Sequence, residues 1–116
     1  SKADQKVIGF MSLKNKFDIQ NQLSLFTNKK NWILNHKFTF GGYAKYNKEL
    51  VKFISDFYNE YNIPLDLVYN GKMFYGIYDL IKNRKIKNCS ILLIHTGGLQ
   101  GNLGMNYRFD LNLPTF

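Results

Sequence analysis

The sequence predicts an α/β fold with a mainly parallel sheet and helices on both of its faces. The residues Ile91 to Ile94 form an uninterrupted apolar run between polar residues and glycines, as in a strand that is covered on both sides. The apolar residues from Leu50 to Tyr61 recur at helical spacing. Strand-like and helix-like segments alternate along the chain, which is the order typical of a parallel sheet.

Size and composition indicate one globular unit. The chain has 116 residues, of which 45% are hydrophobic, so it can bury one core. It begins with Ser and enters a strand-like run, Val7 to Phe10, almost at once. A central parallel strand needs neighbours on both sides, and the sequence supplies few. We therefore expect residues 1–116 to be a partial α/β domain, either the carboxyl-terminal part of a longer protein or one piece of a processed chain.

The charge and the single cysteine narrow the possible partners and the compartment. The net charge is +8, but the lysines are scattered and no nucleic-acid-binding motif accompanies them, so a solvated surface explains them better than nucleic acid does. No apolar run approaches the ~18 residues of a membrane span, and we expect no membrane partner. Cys89 is the only cysteine, which predicts a small packed residue beside a strand and a cytoplasmic protein.

The first half of the chain predicts two strands with a helix between them. Val7 to Phe10 is the first strand, and a modest helix lies within residues 16–26. Trp32 to Leu34 is interpreted as an apolar plug against the sheet. His36 to Phe40 alternates and is rich in aromatic and β-branched residues, which predicts the second strand. It ends at Gly41-Gly42-Tyr43, a turn whose glycines can adopt unusual backbone angles.

The second half predicts two helices before the central strand. Asn47 is a plausible N-cap for the helix that carries the apolar stripe from Leu50 to Tyr61. The stripe consists of Leu50, Phe53, Ile54 and Phe57, which are expected in the core. Leu65 to Tyr69 is a short extended segment, and Asn70-Gly71 marks a turn. A second helix follows from Lys72 to Asn83.

The end of the predicted central strand is the candidate site. In parallel α/β sheets, ligands lie just beyond the carboxyl ends of strands, where this chain has the Thr96 hydroxyl. Gly97 and Gly98 let the backbone come close to a bound group. Thr96 could alternatively cap the turn through its hydroxyl. His95 is expected to be a buried, satisfied histidine, and the histidines do not have the spacing of a metal site.

Three motifs in order resemble one family of pyridoxal-phosphate enzymes. The motifs are Gly41-Gly42-Tyr43, the run from Ile63 to Met73 and the run from His95 to Gly101. Together they resemble the family that includes D-cysteine desulfhydrase and 1-aminocyclopropane-1-carboxylate (ACC) deaminase, and the likeness extends from Val7 to about Tyr107. It implies the cofactor pyridoxal 5'-phosphate, a tryptophan-synthase-β-like fold (fold type II) and a homodimer.

The resemblance also implies which part of such an enzyme is present. The chain would supply the carboxyl-terminal part of the larger domain, and its partner would be the remainder of its own chain. The family's Schiff-base lysine and phosphate loop lie upstream of the residues present here, and Lys72 lies in a different motif. The isolated chain is therefore expected to be inactive.

Five positions take on functional roles through this resemblance. Tyr43 and Tyr69 match catalytic tyrosines near the substrate. Asn70, Thr96 and Gly97 match cofactor-binding positions, the first two beside the pyridine nitrogen. Asn70 falls where deaminases have glutamate and desulfhydrases have threonine. Thr96 agrees with the desulfhydrases, since deaminases have leucine there.

The residue at position 70 suggests the reaction. A carboxylate beside the pyridine nitrogen holds it protonated and makes a strong electron sink, as ring opening requires, whereas Asn70 and Thr96 are neutral. We therefore expect β-elimination from D-cysteine, or a related small amino acid, to pyruvate, ammonia and sulfide. The alternatives are ring-opening deamination of ACC and a non-enzymatic basic binding module.

Overall fold

The computed structural model describes residues 5–12 and 16–115. In this part of the chain the α/β class is confirmed in a reduced form, a two-stranded parallel sheet with four helices. The elements are β1 (Val7–Phe10), α1 (Lys16–Phe26), β2 (Trp32–Asn35), α2 (Lys48–Tyr61), α3 (Asn70–Lys82) and α4 (Gln100–Phe109). The predicted helix within residues 16–26 and the predicted strand Val7 to Phe10 are both found.

The sheet pairs β1 with β2 in parallel, with Val7 opposite Trp32 and Phe10 opposite Asn35. The second strand was therefore predicted one segment too late, because the residues interpreted as a plug form β2. The predicted strand His36 to Phe40 is a series of turns instead. The Asn35 side chain accepts a hydrogen bond from the backbone N–H of Lys37 at 2.9 Å, which ends the strand in an Asx turn.

Helix α2 follows the sequence prediction closely. The Asn47 side chain accepts a hydrogen bond from the backbone N–H of Leu50 at 2.9 Å, so the predicted N-cap is confirmed. Asn62 ends the helix in the left-handed conformation, and its N–H donates to the carbonyl of Tyr58 at 2.8 Å. Leu50 and Ile54 are completely buried, as their spacing predicts.

The hydrophobic core lies where α2, α3 and α4 meet the connections on either side of them. Its buried members are Leu50, Ile54, Phe57, Leu65, Leu67, Phe74, Met105 and Leu113. Helix α3 also packs closely on β1, because a Cβ at Gly76 would lie 2.6 Å from the ring of Phe10. Helix α3 therefore connects the core to the sheet.

The predicted central strand is wrong for this chain. Residues 90–98 form no strand, and the side chains of Leu92 and Ile94 are 86% and 65% exposed. A strand that is covered on both faces needs partner strands, and within residues 5–12 and 16–115 the sheet contains only β1 and β2. Cys89, expected to be packed beside this strand, is exposed as well.

Helix α4 was not predicted. Its sequence contains two glycines and no clear apolar stripe, so neither propensity nor periodicity indicates a helix. Tertiary contacts hold it instead. The buried side chain of Asn102 accepts a hydrogen bond from the N–H of Leu67 at 2.9 Å, and it donates to the carbonyls of Leu65 and Pro114 at 3.0 and 2.8 Å.

None of the helices in the described ranges is both long enough and apolar enough to cross a membrane.

Candidate functional site

The site begins at the first turn of α3, which Asp66 caps. The Asp66 side chain is 1% exposed. Its carboxylate accepts hydrogen bonds from the backbone N–H groups of Tyr69 and Asn70 at 2.8 and 2.9 Å. These are orphan donors at a helix start, so the carboxylate satisfies them and favours the helix dipole. Asn70 and Gly71, interpreted as a turn before the helix, are its first residues.

Gly71 allows this helix start to pack tightly. A Cβ at position 71 would lie 2.6 Å from Cδ1 of Ile54 and 2.7 Å from the backbone oxygen of Asp66. Real Cβ atoms do not approach other atoms so closely. The backbone oxygen of Asp66 cannot move aside as the end of a flexible side chain could. The glycine is needed for a close approach to α2, rather than for an unusual backbone angle.

Asn70 joins this helix start to the turn at residues 96–97. Its Nδ2 donates to the Asp66 carboxylate and to the carbonyl of Gly97, both at 2.7 Å. Its Oδ1 accepts from the backbone N–H of Thr96 at 3.1 Å and from the Thr96 hydroxyl at 3.3 Å. Asn70 is 2% exposed, and both of its donor hydrogens and both acceptor positions are used. The structure thus brings together three of the predicted cofactor positions, Asn70, Thr96 and Gly97.

The turn after Thr96 depends on two glycines and on His95. Gly97 and Gly98 have φ angles of 86° and 91°, which other residues rarely adopt. The Nδ1 atom of His95 accepts from the N–H of Gly97 at 3.0 Å, and Nε2 lies 2.7 Å from the carbonyl of Pro64. We therefore assign the proton to Nε2, which donates to Pro64. His95 is satisfied as expected, but it is exposed rather than buried because the strand predicted around it is absent.

The two glycines face different surroundings. A Cβ at Gly98 would contact the Asp66 side chain at 3.4 Å, whereas a Cβ at Gly97 would have no atom within 4 Å. The space beside Gly97 is therefore open, next to the exposed Thr96. A cavity of about 720 Å³ borders Gly97 on one side, and Ile63, Pro64, Leu99 and Leu103 give its wall an apolar character. Tyr43, Tyr69, Asn70 and Thr96 are not part of its lining.

The two predicted catalytic tyrosines lie against each other. The rings of Tyr43 and Tyr69 are 6.1 Å apart between centroids and meet edge to face at 63°. Their side chains are 56% and 47% exposed. A hydrogen bond with Tyr43 raises the pKa of the Tyr69 phenol above its ordinary value, and partial burial and the negative charge of Asp66 add to this. Tyr69 therefore keeps its proton at neutral pH.

Sequence reasoning missed a buried lysine beside this pair. Lys72 is 1% exposed, and its ammonium donates to the backbone carbonyls of Thr39, Gly42 and Ser12 at 2.8, 2.9 and 3.3 Å. Burial lowers the pKa of Lys72 to about 8, against the opposing effect of the Asp66 carboxylate. No periodic signal could have found it, since lysine is among the residue types least often buried. Asp66 could have been found, because an Asp shortly before a helical stripe is a capping signal.

Comparisons with known proteins agree with the resemblance that the sequence predicts. A protein of Pyrococcus furiosus is 33% identical over 101 residues, which are 87% of this chain and 26% of that protein. A Pyrococcus abyssi protein is 44% identical over 66 residues, which are 57% of this chain and 20% of that protein. Both carry the name "Putative 1-aminocyclopropane-1-carboxylate deaminase". The chain matches a segment of the ACC deaminase-like family.

The predicted resemblance is thereby confirmed at the level of the family. A third ACC deaminase-like relative, from Pyrococcus horikoshii, carries the same name and is 39% identical over 66 residues. The chain spans between a fifth and about a quarter of the length of these relatives, 20 to 26%. No family model matches the chain, and no solved structure matches it. The relatives support an enzyme family of the deaminase and lyase kind, whose specific activity is a separate question.

Proposed function

We propose that the full-length protein containing this chain is a pyridoxal-phosphate-dependent lyase that acts on a small amino acid. The names of the relatives support an enzyme of this kind. The observation that carries the proposal is the hydrogen bonding of Asn70 to Thr96 and Gly97, because it joins two motifs that are 26 residues apart in sequence. Tyr69 directly precedes Asn70 and contacts Tyr43. The five residues of the proposed site are thus contiguous.

The residues at this turn fit a neutral partner for the pyridine nitrogen. The Asn70 amide has no hydrogen-bonding capacity left, so we assign the contact with the nitrogen to the Thr96 hydroxyl and make Asn70 the residue that positions it. The Thr96 hydroxyl can turn its hydrogen from Asn70, 3.3 Å away, to an unprotonated pyridine nitrogen, and no atom lies within 4 Å of the Cβ position at the neighbouring Gly97. Asp66 is not the partner that we assign to the nitrogen, because its carboxylate already accepts from the backbone N–H groups of residues 69 and 70 and from the Asn70 amide.

Tyr69 and Tyr43 would face the amino acid. When bound, the cofactor supplies the electron sink for bonds broken at the substrate. Tyr69 keeps its proton because its pKa is raised, which suits a group that donates a hydrogen bond or a proton rather than one that removes a proton. Tyr43 would orient Tyr69, since the two rings lie edge to face with centroids 6.1 Å apart.

The neutral surroundings of Thr96 favour a substrate with a good leaving group on its β-carbon. We propose D-cysteine, which with one water gives pyruvate, ammonia and sulfide. The names of the relatives favour the alternative, ring-opening deamination of ACC. The non-enzymatic basic module has no better support than either reaction. We expect a homodimer, and we expect residues 1–116 alone to be inactive because the resemblance puts the Schiff-base lysine upstream.

The test uses the full-length protein. A yellow protein that releases sulfide and pyruvate from D-cysteine, faster than it converts ACC to a 2-oxo acid, supports the proposed reaction. The reverse preference supports the deaminase. A colourless protein that does not take up pyridoxal phosphate overturns the proposal.

The tyrosines have a matched control. Tyr69→Phe is expected to reduce turnover by about a hundredfold or more, in the range of general acid–base contributions. Tyr107→Phe removes the hydroxyl of a side chain that is 94% exposed, and should leave turnover unchanged. Equal turnover in the two variants would remove Tyr69 from the mechanism.

A further inference from the structure

Three backbone carbonyls from separate parts of the chain converge on one buried cation. They belong to Ser12 just after β1, to Thr39 in the turns after β2 and to Gly42 in the turn formed by Gly41, Gly42 and Tyr43, called the glycine turn below. The cation is the ammonium of Lys72, in the first turn of α3. One side chain therefore ties the sheet and the glycine turn to the start of α3.

The N–H donors of Lys72 are what this arrangement uses. An ammonium has three N–H donors and each finds one carbonyl, so the hydrogen bonding of Lys72 is complete. Without these donors, the carbonyl of Ser12 would lose this partner, and the carbonyls of Thr39 and Gly42 would keep only the backbone N–H groups of Gly42 and Lys45, which is costly. Although burial lowers the pKa of Lys72 to about 8, the charged form still predominates at neutral pH.

The carbonyl of Gly42 connects this cluster to the tyrosine pair. It belongs to the peptide unit that leads directly into Tyr43, and it also accepts from the N–H of Lys45 at 3.1 Å. On the other side, Lys72 lies three residues after Tyr69 and on the same helical turn. The ammonium thus bridges the backbone before Tyr43 and the helix start that carries Tyr69.

We propose that the carbonyls of Ser12, Thr39 and Gly42 form a small-cation site that Lys72 fills from within, and that this cation is the positioning element that holds Tyr43 against Tyr69. The proposal rests on the proposed function only where it concerns turnover. The cation site and the geometry of the tyrosine pair are properties of the folded chain. The three hydrogen bonds of the Lys72 ammonium all go to backbone carbonyls, so it acts through the backbone.

Chemical rescue in the full-length protein tests the cation site. Lys72→Ala leaves a space the length of a lysine side chain, which ethylammonium can enter as a detached ammonium group. We expect ethylammonium chloride to raise the midpoint of thermal unfolding of Lys72→Ala above its value in tetramethylammonium chloride at the same ionic strength. Tetramethylammonium has no N–H donors. If Lys72→Ala folds only with ethylammonium, the site is supported; equal effects of both salts, including failure to fold in both, overturn it.

The positioning role has its own readout in Lys72→Met, which keeps the apolar stem and loses the charge. In wild type, we expect replacing Tyr43 by Phe to change the near-ultraviolet circular dichroism, because the coupling between the two phenol chromophores is lost. We expect the same Tyr43→Phe replacement to change the spectrum much less in the Lys72→Met background. An undiminished difference spectrum would show that the pair persists without the cation, and would overturn the positioning role.

Turnover then separates the two proposals. If the full-length protein is active, Lys72→Met should lower kcat by about 10- to 100-fold with a smaller change in KM, since misplaced groups cost rate. Wild-type kcat in a folded Lys72→Met protein would contradict the positioning role. A wild-type protein that is inactive on both amino acids overturns the proposed function, while the thermal and spectroscopic measurements still decide the role of Lys72.

Discussion

The backbone N–H of Thr96 donates a hydrogen bond to the side-chain oxygen of Asn70 at 3.1 Å. The same amide donates to the carbonyl of Gly97 and to Asp66. The exposed turn at residues 96–98, with two glycines in the left-handed conformation, is thus held by the buried side chain of Asn70 in α3. Because a turn of this kind has little packing of its own, its geometry depends on Asn70.

Replacing Asn70 by Ala should therefore destabilise the protein. The change leaves the Thr96 N–H and the Gly97 carbonyl without their partner and removes a donor from Asp66, so we expect a loss of about 3 kcal/mol. Urea unfolding of the full-length protein measures it. Asn59→Ala, at an exposed position of α2, is the matched control and should change stability by less than about 0.5 kcal/mol. Similar losses for both variants would mean that the amide network contributes little.

Asn70→Asp separates the acceptor function of this side chain from its donor function. The carboxylate can still accept from Thr96, but it cannot donate to Gly97 and it lies beside the Asp66 carboxylate. Like charges at this distance repel, so we expect the variant to be less stable than wild type at pH 7 and to recover part of the difference on acidification. A difference that does not depend on pH would contradict this account.

Gly71 should not tolerate even a methyl group. Gly71→Ala would bring Cβ to 2.6 Å from Ile54 and 2.7 Å from the backbone of Asp66, and we expect a loss of about 2 kcal/mol through overpacking. Gly104→Ala adds the same methyl group in α4 where no atom lies within 4 Å, and helix propensity predicts a gain of about 1 kcal/mol. Thermal unfolding compares the two, and shifts of the same sign would contradict the packing argument.

Ionisation of Lys72 should make stability depend on pH in the alkaline range. Its pKa is about 8 in the folded protein and 10.5 for an ordinary lysine, so between these values the unfolded chain binds the proton more tightly. Stability must then rise with pH, by up to about 1.4 kcal/mol per pH unit. We expect the free energy of unfolding of wild type, minus that of Lys72→Met, to increase from about pH 8 to pH 10.5. A flat difference would show that the folded state does not disfavour the charge.

The phenol of Tyr69 should titrate at lower pH once Tyr43 loses its hydroxyl. The hydrogen bond with Tyr43 is the largest cause of the raised pKa of Tyr69, so Tyr43→Phe should bring this pKa closer to its ordinary value. Phenolate absorbance follows the titration. Subtracting the curve of Tyr69→Phe from that of wild type isolates Tyr69 in wild type, and subtracting the curve of the Tyr43→Phe, Tyr69→Phe double variant from that of Tyr43→Phe isolates it in the variant. An unchanged titration of Tyr69 would exclude the hydrogen bond as the cause.

The apolar segment Ile91 to Ile94 should be covered in the full-length protein. We propose that it pairs with the remainder of the chain, because exposed apolar runs of this kind seek a partner. Leu92 and Leu25 are 86% and 85% exposed here, so they form a matched pair. In the full-length protein, Leu92→Glu should cost about 2 kcal/mol or more, while Leu25→Glu should cost less than about 0.5 kcal/mol. Equal effects in urea unfolding would contradict the pairing.

Prediction from sequence succeeded where the signal is local. The N-cap at Asn47 and the stripe from Leu50 to Phe57 depend only on residues within the same helix, and both are found. Prediction of β2 failed because the Asx turn at Asn35 outweighs the alternation in His36 to Phe40. Helix α4 was missed because Asn102 and other contacts hold a segment of low propensity.

The sequence by itself determined the helices with strong periodicity, the family and the motifs that contain Tyr43, Tyr69 and Thr96. Only the tertiary structure decided that the Asn70 amide is fully occupied and that the ammonium of Lys72 lies among three backbone carbonyls. The physical reason is the range of the interactions. Helical periodicity and caps arise between residues within one or two turns, whereas a buried polar side chain takes its role from partners tens of residues away, such as Ser12 and Thr39 for Lys72.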